Sequence, residues 1–87
     1  MQIDEIKNKV FAVLGREVSF DGRKRLQIIA KLLVAYLMRD QYDIVEIAEV
    51  LNVNRTTVYH YFNRIDDILQ YPHVFRESKY INMLNGK

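Results

Sequence analysis

The sequence has no cysteine, one proline and three glycines in 87 residues. Without cysteine, neither a disulfide framework nor a cysteine-ligated zinc site can form. The two histidines, His60 and His73, lie thirteen residues apart. We therefore expect no metal site and no cofactor. No nucleophile–base pair or paired carboxylate stands out either, so the sequence predicts no catalytic residue and argues against an enzyme.

Long hydrophobic runs are also missing. The longest, Leu26–Met38, is interrupted by Lys31 and falls short of the roughly 20 apolar residues that span a bilayer. Residues 1–10 are charged throughout and do not resemble a signal peptide. We therefore expect no membrane association and a cytoplasmic location, at the nucleoid if the partner is DNA. The net charge of +2 is only a weak signal for nucleic acid, so the placement of charge matters more than its total.

The apolar residues recur at helical spacing along the whole chain, and no segment alternates as a strand would. This pattern predicts an all-α fold, a compact bundle of about five helices forming one domain over residues 1–87. The predicted helices cover about 3–14, ended by Gly15, then 24–39, 44–51, 55–70 and a short last helix at 73–84. The helix at 24–39 is apolar on most faces, which is typical of a central, buried helix. Val74, Phe75, Ile81 and Leu84 would be the apolar residues of the last helix.

Residues 44–70 carry the spacing of a helix-turn-helix. Ala48 is small enough for two helices to approach closely, and Asn52 tolerates the left-handed backbone of a turn. Asp43 and Glu46 match a capping box, and Asn54 is a good N-cap for the next helix. Five apolar residues would close the core between the two helices: Ile47, Leu51, Val53, Val58 and Tyr61.

The second helix of this pair has an acid-free polar face. No carboxylate occurs between Glu49 and Asp66. Such a face suits DNA, because phosphates repel carboxylates while base edges need hydrogen-bond donors and acceptors. The residues of this stretch expected to contact DNA are Asn54, Arg55, Thr56, Thr57, Tyr59, His60, Asn63 and Arg64. For Tyr59, either DNA phosphate or the bundle interior is compatible with the pattern.

A second basic cluster, Arg23, Lys24 and Arg25, lies at the start of the central helix, beside a loop that contains Gly22. Such a triplet is often only a solvated surface. Next to a reading helix it would be able to grip the phosphate backbone or enter a minor groove. The two clusters together predict binding to double-stranded DNA.

With these residues in view, most of the chain resembles the C-terminal DNA-binding domain of the bacterial replication initiator DnaA, a Trp-repressor-like helix-turn-helix. A leading helix precedes a basic loop, here GRKR, and a long helix contains Ala35-Tyr36-Leu37. Glu46-Ile47-Ala48 stands where the family has Glu-Ile-Gly, and Thr56-Thr57-Val58 with His60 matches its Thr-Thr-Val-x-His signature. The resemblance implies that Thr56, Thr57 and His60 read the major groove and that one arginine of the basic loop enters the minor groove.

This sequence departs from the DnaA pattern at the turn. The family reads Gly-Gly-Arg-Asp-His before the two threonines, whereas Asn52-Val53-Asn54-Arg55 is one residue shorter. The family's base preference therefore does not carry over. There is also no phosphate-binding G-x-x-x-x-G-K-[ST] loop, so the chain is not a complete initiator ATPase. It would be a fragment or a free-standing relative, such as a regulator from a phage or another mobile element.

Two alternatives remain open. Val53-x-Arg55-x-x-Val58-Tyr59-x-x-Phe62 is similar to the DNA-reading end of TetR-type repressors, although Ile65 replaces their lysine and the ligand-binding region is missing. That resemblance also implies DNA binding in transcription regulation. A helical protein-interaction module is the alternative from a different class, since the acidic side of the third helix offers a protein-facing surface. A single small reader makes few DNA contacts, so high specificity would need a homodimer or a larger partner protein, with residues 71–87 as the predicted dimer contact.

Overall fold

Five helices make up the secondary structure of residues 1–86, the part of the chain that a computed structural model describes. They are α1 (Ile3–Leu14), α2 (Arg25–Met38), α3 (Ile44–Leu51), α4 (Arg55–Gln70) and α5 (Ser78–Leu84). No strand occurs within residues 1–86. The predicted all-α bundle is therefore confirmed, and the first four helix boundaries agree with the apolar spacing to within one residue.

The core is organised around α2. Every residue of 30–35 is buried, whichever face of the helix it lies on, and Met38 is also fully buried. Helices α1, α3 and α4 all pack directly against α2. Ile6 and Val10 of α1 complete the core on one side, and Ile81 and Leu84 of α5 add to it. The prediction of a central helix that is apolar on most faces is confirmed.

Local capping chemistry sets the helix ends. Gly15 adopts a left-handed conformation with φ 80°, and its N–H donates to the carbonyl of Phe11 at 2.8 Å. Asp43 accepts a hydrogen bond from the N–H of Glu46 at 2.9 Å and starts α3 as predicted. These side chains and backbone turns satisfy groups that a helix leaves without intrahelical partners.

Asn52 provides the turn between α3 and α4. Its φ of 57° and ψ of 47° place it in the left-handed region, where it is the only non-glycine residue with positive φ among residues 1–86. The turn is closed by the N–H of Val53, which donates to the carbonyl of Ala48 at 3.1 Å. Asparagine is one of the few side chains that enters this region at low cost. The turn predicted from Asn52 is confirmed.

The prediction was wrong for the segment before the last helix. α5 begins at Ser78, not near residue 73, and Val74 is 72% exposed instead of packed. The hydroxyl of Ser78 lies 2.7 Å from the carbonyl oxygen of Pro72 and 2.8 Å from that of Phe75. These side-chain contacts satisfy backbone carbonyls in a turn and so compete with helix formation. Leu69, next to the buried Ile68 near the end of α4, is 45% exposed.

The left-handed turn gives a direct test of local stability. Replacing Asn52 with Ala should lower the free energy of unfolding by about 1–2 kcal/mol, because a β-carbon without a compensating polar group is strained in this region. Replacing Asn52 with Gly should leave stability nearly unchanged, since glycine enters the region freely. Chemical denaturation measures both. Equal stability of the two variants would contradict a left-handed requirement at this position.

Candidate nucleic-acid interface

Helices α3 and α4 are joined by residues 52–54 and share a small core. Ile47, Leu51 and Val58 are fully buried, and Ala48 is 8% exposed. Val53 and Tyr61 are half-buried at its edge. The residues expected to close the core between the helices therefore do so, and α4 is fixed against α3 and α2 along one side. This packing leaves the other side of α4 open.

The open side of α4 is polar. Thr56, His60 and Asn63 are exposed, and they recur at the three- and four-residue spacing that places side chains on one helix face. Tyr59 is 55% exposed and meets Phe62 edge to face, with ring centroids 6.4 Å apart. Tyr59 therefore points outward instead of into the bundle. These side chains offer donors and acceptors within a single stretch free of carboxylates.

The first turn of α4 is organised by Asn54. Its Oδ1 accepts from the backbone N–H of Thr57 at 2.9 Å and from the Thr57 hydroxyl at 3.1 Å. Thr57 is half-buried, so it does not project freely from the helix. These contacts occupy the Asn54 side-chain oxygen and the Thr57 hydroxyl proton, which leaves Arg55 and Thr56 as the freely exposed side chains of this turn.

A surface groove of about 1150 Å³ separates the basic loop from the start of α4. Arg23 lines one wall and Arg55 the other, with Asn54 and Thr57 beside Arg55. The structure thus brings together members of both predicted basic clusters, which are far apart in the sequence. Lys24 and Arg25 are exposed at the start of α2 but do not line the groove.

Two carboxylate residues also line this groove. Asp21 belongs to the basic loop, where its Oδ2 is 3.3 Å from the Ser19 hydroxyl, and Glu49 is exposed on α3. The groove is therefore less basic than the sum of its arginines suggests. Its cationic side chains nevertheless outnumber its carboxylates, because Lys31 lines it as well.

Lys31 was not among the predicted site residues. It is 5% exposed, and its Nζ donates to the carbonyl of Gly22 at 3.2 Å. The only sequence signal was a lysine interrupting the apolar run of α2, which does not by itself indicate a surface groove. The position follows from the three-dimensional packing of the loop over α2.

The first turns of α2 hold the basic loop from beneath. Gln27 Oε1 accepts from the backbone N–H of Lys24 at 3.0 Å. A β-carbon at Gly22 would overlap the Gln27 side-chain amide, so the loop lies directly against it. With the Lys31–Gly22 bond, these contacts fix the backbone on both sides of Arg23.

Tyr61 was expected only as a core residue, yet its side chain also lines the groove. Burial raises the pKa of the Tyr61 phenol above its ordinary value of 10.0, because the charged form is the one that desolvation penalises. At neutral pH the group is therefore an uncharged hydroxyl, which can donate a hydrogen bond to an anion in the groove.

Arg64, predicted as a DNA contact, is already bonded within the chain. Its Nε and Nη2 lie 3.1 Å and 3.0 Å from Glu77 Oε2, and its guanidinium sits 4.3 Å from the centre of the Phe75 ring. The Glu77 side chain is only 14% exposed. Arg64 therefore joins α4 to the segment that precedes α5, and its charge is partly neutralised.

Within residues 1–86, no group of three or more histidine, aspartate or glutamate side chains is placed to hold a metal ion. None of the helices in this part of the chain is both long and apolar enough to cross a bilayer. Comparison of the sequence and structure with known protein families, curated proteins and solved structures found no match. The DnaA-like and TetR-like resemblances therefore stand on the quoted residues alone.

The Arg64 contacts predict a stability effect. Replacing Arg64 with Ala should lower the free energy of unfolding by about 1 kcal/mol, because it removes a half-exposed ion pair and a cation–π contact. Replacing the exposed Arg76 with Ala is the matched control for loss of charge and should have little effect. Thermal and chemical unfolding measure both variants. Equal stability of the two would show that the Arg64–Glu77–Phe75 contacts contribute nothing measurable.

Proposed function

We propose that the chain binds double-stranded DNA, with α4 as the reading helix in the major groove. The observation that carries this proposal is the exposed polar side of the N-terminal half of α4, which has no carboxylate before Asp66, next to a groove that Arg23 and Arg55 both line. A polar helix face beside cations from a separate loop suits a duplex, because one element reads base edges while the other holds the backbone.

The side chains divide into two roles under this proposal. Arg55, Thr56, His60 and Asn63 carry base-reading chemistry, since each presents groups able to bond base edges. Arg23, Lys24 and Arg25 contact phosphates, as does the exposed hydroxyl of Tyr59. Thr57 acts mainly through the N-cap that it forms with Asn54, which sets the geometry of the first turn.

The charges along α4 limit which part approaches DNA. Asp66 and Asp67 are exposed in its C-terminal half, and Asp66 pairs with Arg39 at 3.3 Å. Carboxylates at a phosphate-rich surface are unfavourable, so the N-terminal half must be the part inserted. The N-terminal residues of a reading helix are also the ones that contact base edges in helix-turn-helix proteins.

Both resemblances support DNA binding and differ in the process served. The DnaA-like residues Thr56-Thr57-Val58 and His60 favour a role in replication or its control, and the TetR-like pattern favours transcription regulation. A regulator acting at the nucleoid, from a phage or another mobile element, fits either one. The process itself depends on the DNA site.

A protein-interaction module is the second candidate, and exposed apolar side chains near the C-terminal end of the chain favour it. Leu69, Tyr71, Val74 and Met83 are each at least 45% exposed. They lie in or next to the segment predicted as a dimer contact, whose last residue, Lys87, is outside the described residues. A homodimer formed there would double the number of DNA contacts without using the α4 face.

The salt dependence of binding tests the proposed function. The logarithm of the affinity for duplex DNA should fall linearly with the logarithm of the salt concentration, with a slope of about −0.9 for each neutralised phosphate. Arg23→Ala should make this slope shallower and weaken all duplexes alike, because phosphate contacts carry no sequence information. Fluorescence anisotropy with a random-sequence duplex measures both.

The exposed Lys9 of α1 supplies the control for the Arg23 measurement. Lys9→Ala removes one charge away from the proposed interface and should change the slope little. A folded wild-type protein that binds no duplex at low salt would overturn the DNA proposal and favour the protein-interaction module.

Base reading is tested at Arg55. An arginine bonded to both O6 and N7 of a guanine discriminates against other bases by about 1–3 kcal/mol. Arg55→Ala should therefore weaken binding to a selected site by roughly that amount, with a much smaller loss on a scrambled duplex. Selection from a random pool, followed by titration of both duplexes, provides the measurement. An equal loss on both would assign Arg55 to phosphate and leave base reading to Thr56, His60 and Asn63.

A further inference from the structure

We propose that Lys31 forms the floor of a phosphate-binding site in the groove between the basic loop and α4, and that this site takes one backbone phosphate of the duplex. The inference rests on the proposed function and assigns a contact to a residue of the buried central helix. Lys31 differs in this from the exposed residues Arg23, Lys24 and Arg25, which the sequence alone predicts as phosphate contacts.

The burial of Lys31 is the first step of the argument. It is the only charged residue among the buried residues of the described chain. An ammonium group has three N–H donors, and its one hydrogen bond in the structure goes to the Gly22 carbonyl at 3.2 Å. The other N–H donors of this ammonium have no protein partner within residues 1–86. An anion in the groove that Lys31 lines would supply the missing partner.

The surroundings of Lys31 fit an anion with a single charge. Arg23 of the basic loop and Arg55 of α4 line the same groove, as does the neutral Tyr61 phenol. Asp21 and Glu49 are its two acidic lining residues, so three cations leave one positive charge uncompensated. A phosphodiester carries one negative charge. The groove also opens to solvent, as a contact to a DNA backbone requires.

The position on α2 explains why a phosphate is the expected ligand instead of a base edge. Lys31 is held at the bottom of the groove by a helix that is buried on nearly all faces, and its Nζ is tied to the loop backbone. An ammonium binds phosphate as a point charge and without the planar fork that lets arginine recognise guanine. Its contribution should therefore be the same on every duplex sequence.

The first experiment compares the wild type, Lys31→Met, Lys31→Arg and the exposed-lysine control Lys9→Met on one mixed-sequence duplex. Methionine matches the buried stem of lysine and removes the charge. Lys31→Met should reduce the magnitude of the salt slope by about 0.9 and weaken binding about eightfold near 0.1 M salt, with the difference shrinking as salt rises. Lys31→Arg should retain most of the slope, and Lys9→Met should retain all of it.

A second measurement on the unaltered protein does not depend on any variant folding. The side-chain ammonium signal of Lys31 in ¹⁵N-resolved spectra should shift when the duplex is added, while that of Lys9 should not. A shift at Lys31 together with a shallower slope in Lys31→Met supports the phosphate site. An unmoved Lys31 signal overturns it.

The outcomes separate this inference from the proposed function. If the wild type binds duplex with a steep salt slope and Lys31→Met keeps that slope, the phosphate site is wrong and DNA binding stands. A weaker Lys31→Met with an unchanged slope also overturns the site, because Lys31 would then only anchor the loop through Gly22. If the wild type binds no duplex, both proposals fail together.

Discussion

The burial of α2 on nearly all of its faces is the constraint on which the rest of the structure depends. Because α1, α3 and α4 pack against α2, its residues 30–35 have no exposed position for a charge. Lys31, the one charged residue among them, lines the groove beside the loop that precedes α2, and its hydrogen bond to Gly22 fixes that loop. The same packing that forms the core thus determines where Arg23 lies. The packing of the core and the geometry of the candidate interface are therefore coupled in this chain.

The arrangement of charge follows from this packing. The net charge of +2 gives little reason to expect a polyanionic partner. Two of the arginines, however, form ion pairs within the fold: Arg39 with Asp66, and Arg64 with Glu77. These pairs partly neutralise both arginines. Arg23, Lys31 and Arg55 share one groove instead. The local electrostatic potential of a surface, and not the total charge of the chain, determines how strongly that surface attracts phosphate.

Features encoded by neighbouring residues could be predicted from the sequence. Gly15, Asp43, Asn52 and Asn54 each set a helix end through contacts within a few residues, so their residue types alone indicated the boundaries of α1, α3 and α4. The helical spacing of the apolar residues likewise predicted the buried face of the first four helices, apart from Leu69 in α4. The exposed polar face of α4 followed from the same periodicity.

Features that depend on distant contacts could not be predicted in this way. The turns at 71–77 replace a predicted helical turn because Ser78 bonds two carbonyls and because Arg64 holds Glu77 and Phe75 from another helix. The groove forms between the loop at Arg23 and the start of α4, which are far apart in the sequence. Only this tertiary arrangement identifies Lys31 as a lining residue. The Ser78 bonds are local, but the Arg64 contacts and those across the groove join residues far apart in the chain, where no periodic pattern indicates them.

The division of α4 into two halves limits what a single copy of this domain can do. Its N-terminal half is polar, acid-free and exposed, whereas its C-terminal half carries Asp66 and Asp67 and uses Arg64 to hold the segment before α5. Under the proposed function, only Arg55 to Asn63, about two and a half helical turns, would remain for reading bases. A reader of that size resembles single DNA-binding modules, which bury about 600–1,000 Å² and seldom reach high specificity alone. Because the exposed apolar residues Leu69, Tyr71 and Val74 lie beyond the reading half, an assembly formed through them would add a second reading helix and leave the first one free. Under that proposal, the half of α4 that carries the carboxylates is also the half that continues into the exposed apolar residues.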